Sequence, residues 1–185
     1  MIPVTLGTER LTLDQPATAD RELIAQYCSD PLFEGYMTTP WPYELKHATG
    51  FVNDYVPMGW RTNAEYTWAI RAGGVFVGVI GYREATRDIG YWLGGPHRGH
   101  GYMTEAAGAV IDWLFAQGRD ELAWECVVGN TASAGVARKL GFAFTGVAPS
   151  SQPARDGVRR RSLPACLGPS GHAQNRFSLF FMFAS

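Results

Sequence analysis

This 185-residue sequence lacks several signatures, and each absence closes a class. Its three cysteines, Cys28, Cys126 and Cys166, are odd in number, scattered and without a CxxC. That excludes a disulfide framework and suits buried thiols in a reducing compartment. No run of about 18 apolar residues is available to span a bilayer, and no cationic segment followed by an apolar one opens the chain, so cytoplasmic placement is expected. Charge is sparse: 18% of residues are charged, 16 basic against 17 acidic, for a net charge of −1. Such a balance gives no pull toward nucleic acid or an anionic membrane, and neither is expected as a partner. The histidines are not spaced with carboxylates as ligands would be, so no metal is expected. There is no Gly-Lys-Ser/Thr of a P-loop and no obvious Ser/His/Asp or Cys/His arrangement, which removes the usual enzyme-borne nucleophiles.

What is present is a hydrophobic content of 46%, enough for a real core in a single domain. The chain is organised around Ile89 to Glu105, IGYWLGGPHRGHGYMTE. Ile89, Tyr91 and Leu93 alternate as a strand does. Gly94-Gly95-Pro96 breaks the ladder. After the turn Arg98-Gly99-His100-Gly101, residues Met103, Ala106, Ala107, Val110, Ile111 and Leu114 fall on one face of a helix. Strand, glycine turn, helix is the layout of a phosphate cradle, because glycines admit an anion close to the backbone and the first N–H groups of the helix have no partner in the chain. A dinucleotide fingerprint is excluded, since Thr104 stands where its third glycine would be. From the turn alone, a tight connection without a ligand stays open.

Elsewhere the pattern predicts a strand over 8–13, a helix from Thr18 or Asp20 to Cys28 ended by Asp30-Pro31, and an aromatic loop from Phe33 to Tyr43. A helix over 44–56, stopped by Pro57 and Gly59, comes next. Strands at 65–71 and 75–84 meet at a Gly73-Gly74 hairpin. A strand over 88–93 feeds the cradle helix, which runs to about Gln117. A strand at 122–128, a helix at 132–140 and two strands near 142–147 and 159–167, turned by Asp156-Gly157, complete the order. This alternation implies an α/β fold with a mixed sheet. The last stretch, 168–185, ends in apolar FSLFFMFAS and reads as a tail that covers core, pairs with an edge strand or a second copy, or is an added scar.

The segment GYWLGGPHRGHGYMTEA resembles the acyl-CoA-binding segment of GNAT N-acetyltransferases, in the RimJ/RimL-like branch that acts on ribosomal-protein N-termini. Gly129-Asn130-Thr131-Ala132-Ser133 through Leu140-Gly141-Phe142 is similar to that family's segment after its fifth strand, and Thr8-Glu9-Arg10-Leu11 to its first strand. The likeness covers residues 8–167. It implies one acetyltransferase domain over 1–167, with a strongly bent mixed sheet flanked by helices and acetyl-CoA as cosubstrate. The reaction would be direct attack by a primary amine, most of all a protein N-terminal α-amine, in a ternary complex. A small-molecule amine acceptor and a catalytically silent CoA-binding module are the alternatives, and either a monomer or a homodimer fits. The chain departs from the family at Pro96, where its Gln/Arg-x-x-Gly-x-Gly/Ala signature would begin.

The resemblance places the pyrophosphate on His97, Arg98, Gly99, His100, Gly101, Tyr102 and Met103, with Arg98 the extra cation. It places the thioester against backbone amides of Trp92, Leu93 and Gly94, where the strand before the cradle splays from its neighbour. Asn130 matches a family contact to the CoA arm, although a polar helix start explains it equally. Many relatives protonate the leaving thiolate with a tyrosine that is Ala137 here; the RimL-like branch carries a serine at the site of Ser133, which is therefore the candidate donor. Glu84 and Asp88, with Glu34 behind them, are the candidate bases, each in need of a raised pKa or a water relay. Phe33, Tyr36, Trp41 and Tyr43, with the Trp60 region, are the candidate acceptor wall, or else core. Arg155, Arg159, Arg160 and Arg161 form a basic cluster on a hairpin that could dock an acidic partner or simply be solvated.

Overall fold

The computed structural model describes residues 1–171; the apolar end of the tail lies outside them. The chain divides into two compact units, Met1–Ala109 and Val110–Ser185. The first holds strands β1 (Leu6–Gly7), β2 (Leu11–Asp14), β3 (Glu65–Ala72), β4 (Val75–Arg83) and β5 (Asp88–Leu93). They are antiparallel in the order β1-β2-β3-β4-β5. Gly73 and Gly74 turn β3 into β4 with φ of +56° and +81°, the left-handed pair whose twist matches that of the strands.

Alternation assigns two faces to β3, β4 and β5. On one, Ala69, Val79 and Trp92 meet the helices α1 (Arg21–Cys28), α2 (Pro31–Tyr36) and α3 (Leu45–Gly50) in a cluster containing Ile24, Tyr27, Phe33 and Ala48. On the other, Tyr66 and Trp68 pack with Trp60 at ring separations of 4.9 and 5.1 Å. Trp60 is therefore a core residue of the opposite face from Phe33, not part of an acceptor wall with it. Arg71 joins Asp14 and the buried Asp20 at 2.8 Å each, tying β2 and β3 to the turn ahead of α1.

Two helical expectations change. Residues 33–43 are not all loop, because α2 covers 31–36. Asp30 caps it, accepting from Leu32 N–H at 3.0 Å, and Pro31 takes the first helical position, where a missing N–H costs nothing. The helix after Glu44 also does not stop at Pro57. It passes through a single π-helical turn at Phe51–Tyr55 into α4 (Val56–Thr62). Pro57 falls in the first turn of α4, and Gly59 is a packing site, since a Cβ there would stand 2.7 Å from Glu65 O.

Helix α5 (Tyr102–Ala116) contains the boundary between the units. The second unit has β6 (Leu122–Val127), α6 (Thr131–Lys139) and the short β7 (Ala143–Phe144) and β8 (Ala148–Pro149), followed by β9 (Arg161–Leu167). Strand β9 pairs antiparallel with β6, β7 and β8. The single strand expected over 142–147 shrinks to the two-residue β7, and Gly146, with φ +118°, lies between it and β8. The α/β class read from the sequence holds. Among the described residues, no helix is long and apolar enough to cross a membrane.

Candidate active site

Strand β5 stays paired with β4 through Leu93, opposite Gly78, and Gly94 N–H continues the ladder to Val77 O at 2.9 Å. Gly94 is buried, and a Cβ on it would stand 2.5 Å from the Tyr27 ring. A single 3₁₀ turn, Gly95–His97, then reverses the chain. Gly99 and Gly101 follow with φ of +83° and +79°, values that side chains other than glycine rarely adopt. Among the described residues, and apart from its two chain neighbours, no atom lies within 4 Å of where a Gly99 Cβ would be. Glu105 N–H bonds Gly101 O at 3.1 Å, so the N–H groups of residues 102–104 are the unfilled donors of the helix start. Two left-handed glycines and an open side at a helix start leave the backbone accessible to an anion.

The cations around this turn are engaged in shaping it. Arg98 donates from Nε to Leu93 O at 3.1 Å, pairs with Asp30 at 2.8 Å and lies over the Phe33 ring. It fastens the end of β5 to the N-terminus of α2. Arg10, which sequence reasoning placed only in the first strand, bonds Glu105 from Nε at 2.7 Å and His100 O at 3.1 Å, and stacks over Tyr102. Thr8 Oγ1 and Arg10 N–H also donate to Glu105. Burial pushes the Glu105 pKa up, but the Thr8 and Arg10 hydrogen bonds outweigh it and hold the carboxyl below its ordinary range. The Thr8-Glu9-Arg10-Leu11 motif was the signal; its partner is 95 residues away. His97 Nε2 meets Tyr27 OH at 2.9 Å, and burial, then His100, lowers its pKa. Both causes favour the neutral ring. His100 stacks on Tyr102.

Because Gly94 N–H points to β4, the period of two turns Trp92 N–H the same way and leaves Leu93 N–H on the far edge of β5. Trp92 itself is packed between Phe33 and Phe76, at 5.7 and 5.9 Å. Of the aromatics, Phe33 is core; Trp41 and Tyr43 pack partly buried against it, and Tyr36 is exposed. Asp88 is held by Arg83 and Thr86, and Glu84 is half-buried with its N–H on Ala64 O. Glu34 is exposed on α2.

In the second unit, Asn130 caps α6, accepting from Ser133 N–H at 3.2 Å. Ser133 is half-buried in the first turn. The Cys126 thiol donates to Asn130 O at 3.6 Å, and burial, then Glu125, pushes its pKa up to about 11. Ala137 and Phe142 are buried. In the basic cluster, Arg160 pairs with Asp156 and Arg159 donates to Ser150 O and Ser151 O. Among the described residues, no group of three or more His, Cys, Asp or Glu is placed to hold a metal.

Residues 10–143 match the acetyltransferase (GNAT) domain family. The chain is 30% identical over 119 residues to the uncharacterised N-acetyltransferase p20 of Bacillus licheniformis, spanning 60% of this chain and 66%, just under two thirds, of that relative. Solved structures share the fold, two of them as follows. The microcin C7 self-immunity acetyltransferase MccE, in complex with acetyl-CoA and AMP, matches with a TM-score of 0.76 at 22% identity, over 87% of this chain and 93% of that one. RimL, a ribosomal L7/L12 alpha-N-protein acetyltransferase in complex with coenzyme A, matches with a TM-score of 0.78 at 16% identity, over 89% and 98%.

Proposed function

From membership of the GNAT acetyltransferase family, to which this chain belongs, we propose that it is an N-acetyltransferase using acetyl-CoA on a primary amine, most of all a protein N-terminal α-amine. The observation that carries the reading is the Gly99/Gly101 turn at the start of α5, left-handed at both glycines and open where a Gly99 Cβ would be. Acetyl-CoA supplies the activated thioester. The chain's own residues have the remaining tasks. The N–H groups from Gly99 to Met103 hold the pyrophosphate, shaped by Arg10 and Glu105 rather than by a free side-chain cation. Leu93 N–H is the donor toward the charge that develops on the carbonyl oxygen.

Ser133 is proposed as the proton donor to the leaving thiolate and Asn130 as a contact to the CoA arm, both on the family resemblance. Glu84 and Asp88 are proposed as the candidate acceptor-side bases, the Asp88 carboxylate being held by Arg83 and Thr86. With Phe33 in the core, the acceptor wall reduces to Tyr36, Trp41 and Tyr43. A small-molecule amine is the second reading, supported by the likeness to MccE, whose solved complex holds AMP.

Thermal unfolding with and without acetyl-CoA tests the first step. Ligand at about a hundred times its Kd should add about 2.7 kcal/mol to the folded state. Gly99→Val and Gly101→Val should lose that shift and all turnover in a thiol-release assay on tetrapeptides with free amino termini. A wild-type protein that neither shifts nor turns over would end the enzyme reading.

A further inference from the structure

On the helix-covered face of the first unit, one row of the sheet carries almost no side chain. Gly81 of β4 is paired with Thr67 of β3 on one side and with Gly90 of β5 on the other. Glycine inside a strand weakens it and marks a place where something approaches the backbone. Here two charged groups lie across the gap. The Glu65 carboxylate lies 3.3 Å from where a Gly81 Cβ would be, and the Arg83 guanidinium 3.8 Å from where a Gly90 Cβ would be. Glu65, Gly81 and Gly90 are all half-buried, so solvent reaches the strip in part, and Tyr55 at its rim is 52% exposed.

The two charges are not equivalent. Arg83 is satisfied by Asp88, bonded from Nε at 2.9 Å and from its terminal nitrogen. Asp20, Asp30, Asp88 and Glu105 of the same unit each take an arginine. Glu65 instead takes two neutral hydroxyls among the described residues, Tyr55 on one oxygen and Thr67 at 3.3 Å on the other. Arg83 acts on it only through space. A half-buried carboxylate without a bonded cation, laid over bare backbone, is built to receive a cation from outside.

Position says which cation. Gly90 lies three residues before Leu93 on β5, about 10 Å along the strand, and the row between them continues into Val79 and Trp92. An amine on Glu65 is too far from Leu93 to be the one acetylated. We infer that Glu65 is a specificity residue that binds a second positive group of the acceptor, about 10 Å from the amine that reacts. On an extended peptide, that is a lysine or arginine about three residues from the acetylated terminus. This rests on the acetyltransferase reading and on Leu93 N–H as the oxyanion donor.

The test is a ratio of kcat/KM for two peptides that differ only at the fourth residue, lysine in one and norleucine in the other. Wild-type protein should prefer lysine by about tenfold or more, the range of a charge-assisted hydrogen bond. Glu65→Gln should bring the ratio close to one. Tyr55→Phe, which leaves the sheet untouched, should lower it partway, so that a poorly folding Glu65→Gln does not end the test. A merely structural Glu65 would change both peptides alike and leave the ratio standing, and that result, or a wild-type ratio of one, overturns the inference.

Spermidine serves as the third acceptor. Turnover of spermidine that depends on Glu65, with no turnover of peptides, keeps the second-cation site and discards the N-terminal acceptor. Acetyl-CoA binding without turnover of any amine overturns both readings, and a wild-type ratio of one with active peptides overturns only this one.

Discussion

Gly94 shows how a single missing atom fixes the site. Its backbone sits against the Tyr27 ring, so closely that a Cβ would stand 2.5 to 2.7 Å from three ring carbons. Tyr27 cannot yield, because it packs with Phe76 and holds His97 through its hydroxyl. Gly94→Ala should therefore destabilise by about 1–3 kcal/mol, the usual cost of overpacking. Urea unfolding would measure it, and Tyr27→Leu in the same chain should recover part of the loss. An additive double mutant would show that the ring is not the obstacle. Gly99 has no such neighbour. Substitution there acts through its φ of +83° and through the space an anion needs, so Gly99→Ala should weaken acetyl-CoA binding more than folding. The two glycines look alike in the sequence; the Tyr27 ring against one and the open space beside the other set them apart.

Helix α2 is held to the end of β5 by one side chain with two tasks. Asp30 caps α2 through Leu32 N–H and pairs with Arg98, which in turn holds Leu93 O. Asp30→Ala should cost about 1 kcal/mol from the lost cap and release Arg98. Asp30→Asn should keep most of the cap but lose the charge. If acetyl-CoA KM rises in Asp30→Asn while stability holds, the ion pair is what positions the cradle; an unchanged KM in both variants would confine Asp30 to folding. Sequence legibility follows the same division. The buried face of α5, Met103, Ala106, Ala107, Val110, Ile111 and Leu114, was readable because a 3.6-residue period is a local property. In the sequence Asp30-Pro31 marks the end of α1, and the same pair is also the cap and first position of α2. The Arg10–Glu105 and Arg98–Asp30 pairs span 95 and 68 positions, and no local period encodes them. Glu65 carries no local signal for the same reason, since the glycines beside it belong to two other strands.

At the scale of the whole molecule, the shifted groups set a window of pH. Asp20, Glu105 and His97 have folded-state pKa values below their ordinary 3.8, 4.5 and 6.5. Burial opposes the shift in Asp20, but the Arg71 and Ala17 hydrogen bonds prevail; in His97, burial itself lowers the value. A depressed folded-state pKa means that the unfolded chain takes up the proton first. The contribution is present above the ordinary value and is lost as pH falls. His97 therefore begins to cost stability below about 6.5, and Glu105 and Asp20 add to the loss below about 4.5. The alkaline side has the opposite sign. Burial raises Cys28 from 9.0 to about 12, and burial with the Glu65 hydrogen bond raises Tyr55 from 10.0 to about 12. The unfolded chain then loses its protons first, and stability falls as pH rises above about 9. A plateau between about pH 6.5 and 9 is the expected outcome. Each linked proton can tilt its edge by at most about 1.4 kcal/mol per pH unit. Denaturant midpoints from pH 3 to 11 would map it. Cys28→Ala should make the alkaline limb shallower, Tyr55 and Cys126 still contributing to it, and His97→Gln the first part of the acidic one, each without moving the other edge. A midpoint that stayed level through pH 10 would mean that Cys28 ionises as easily in the folded chain as in the unfolded one, contrary to its 1% exposure in the core.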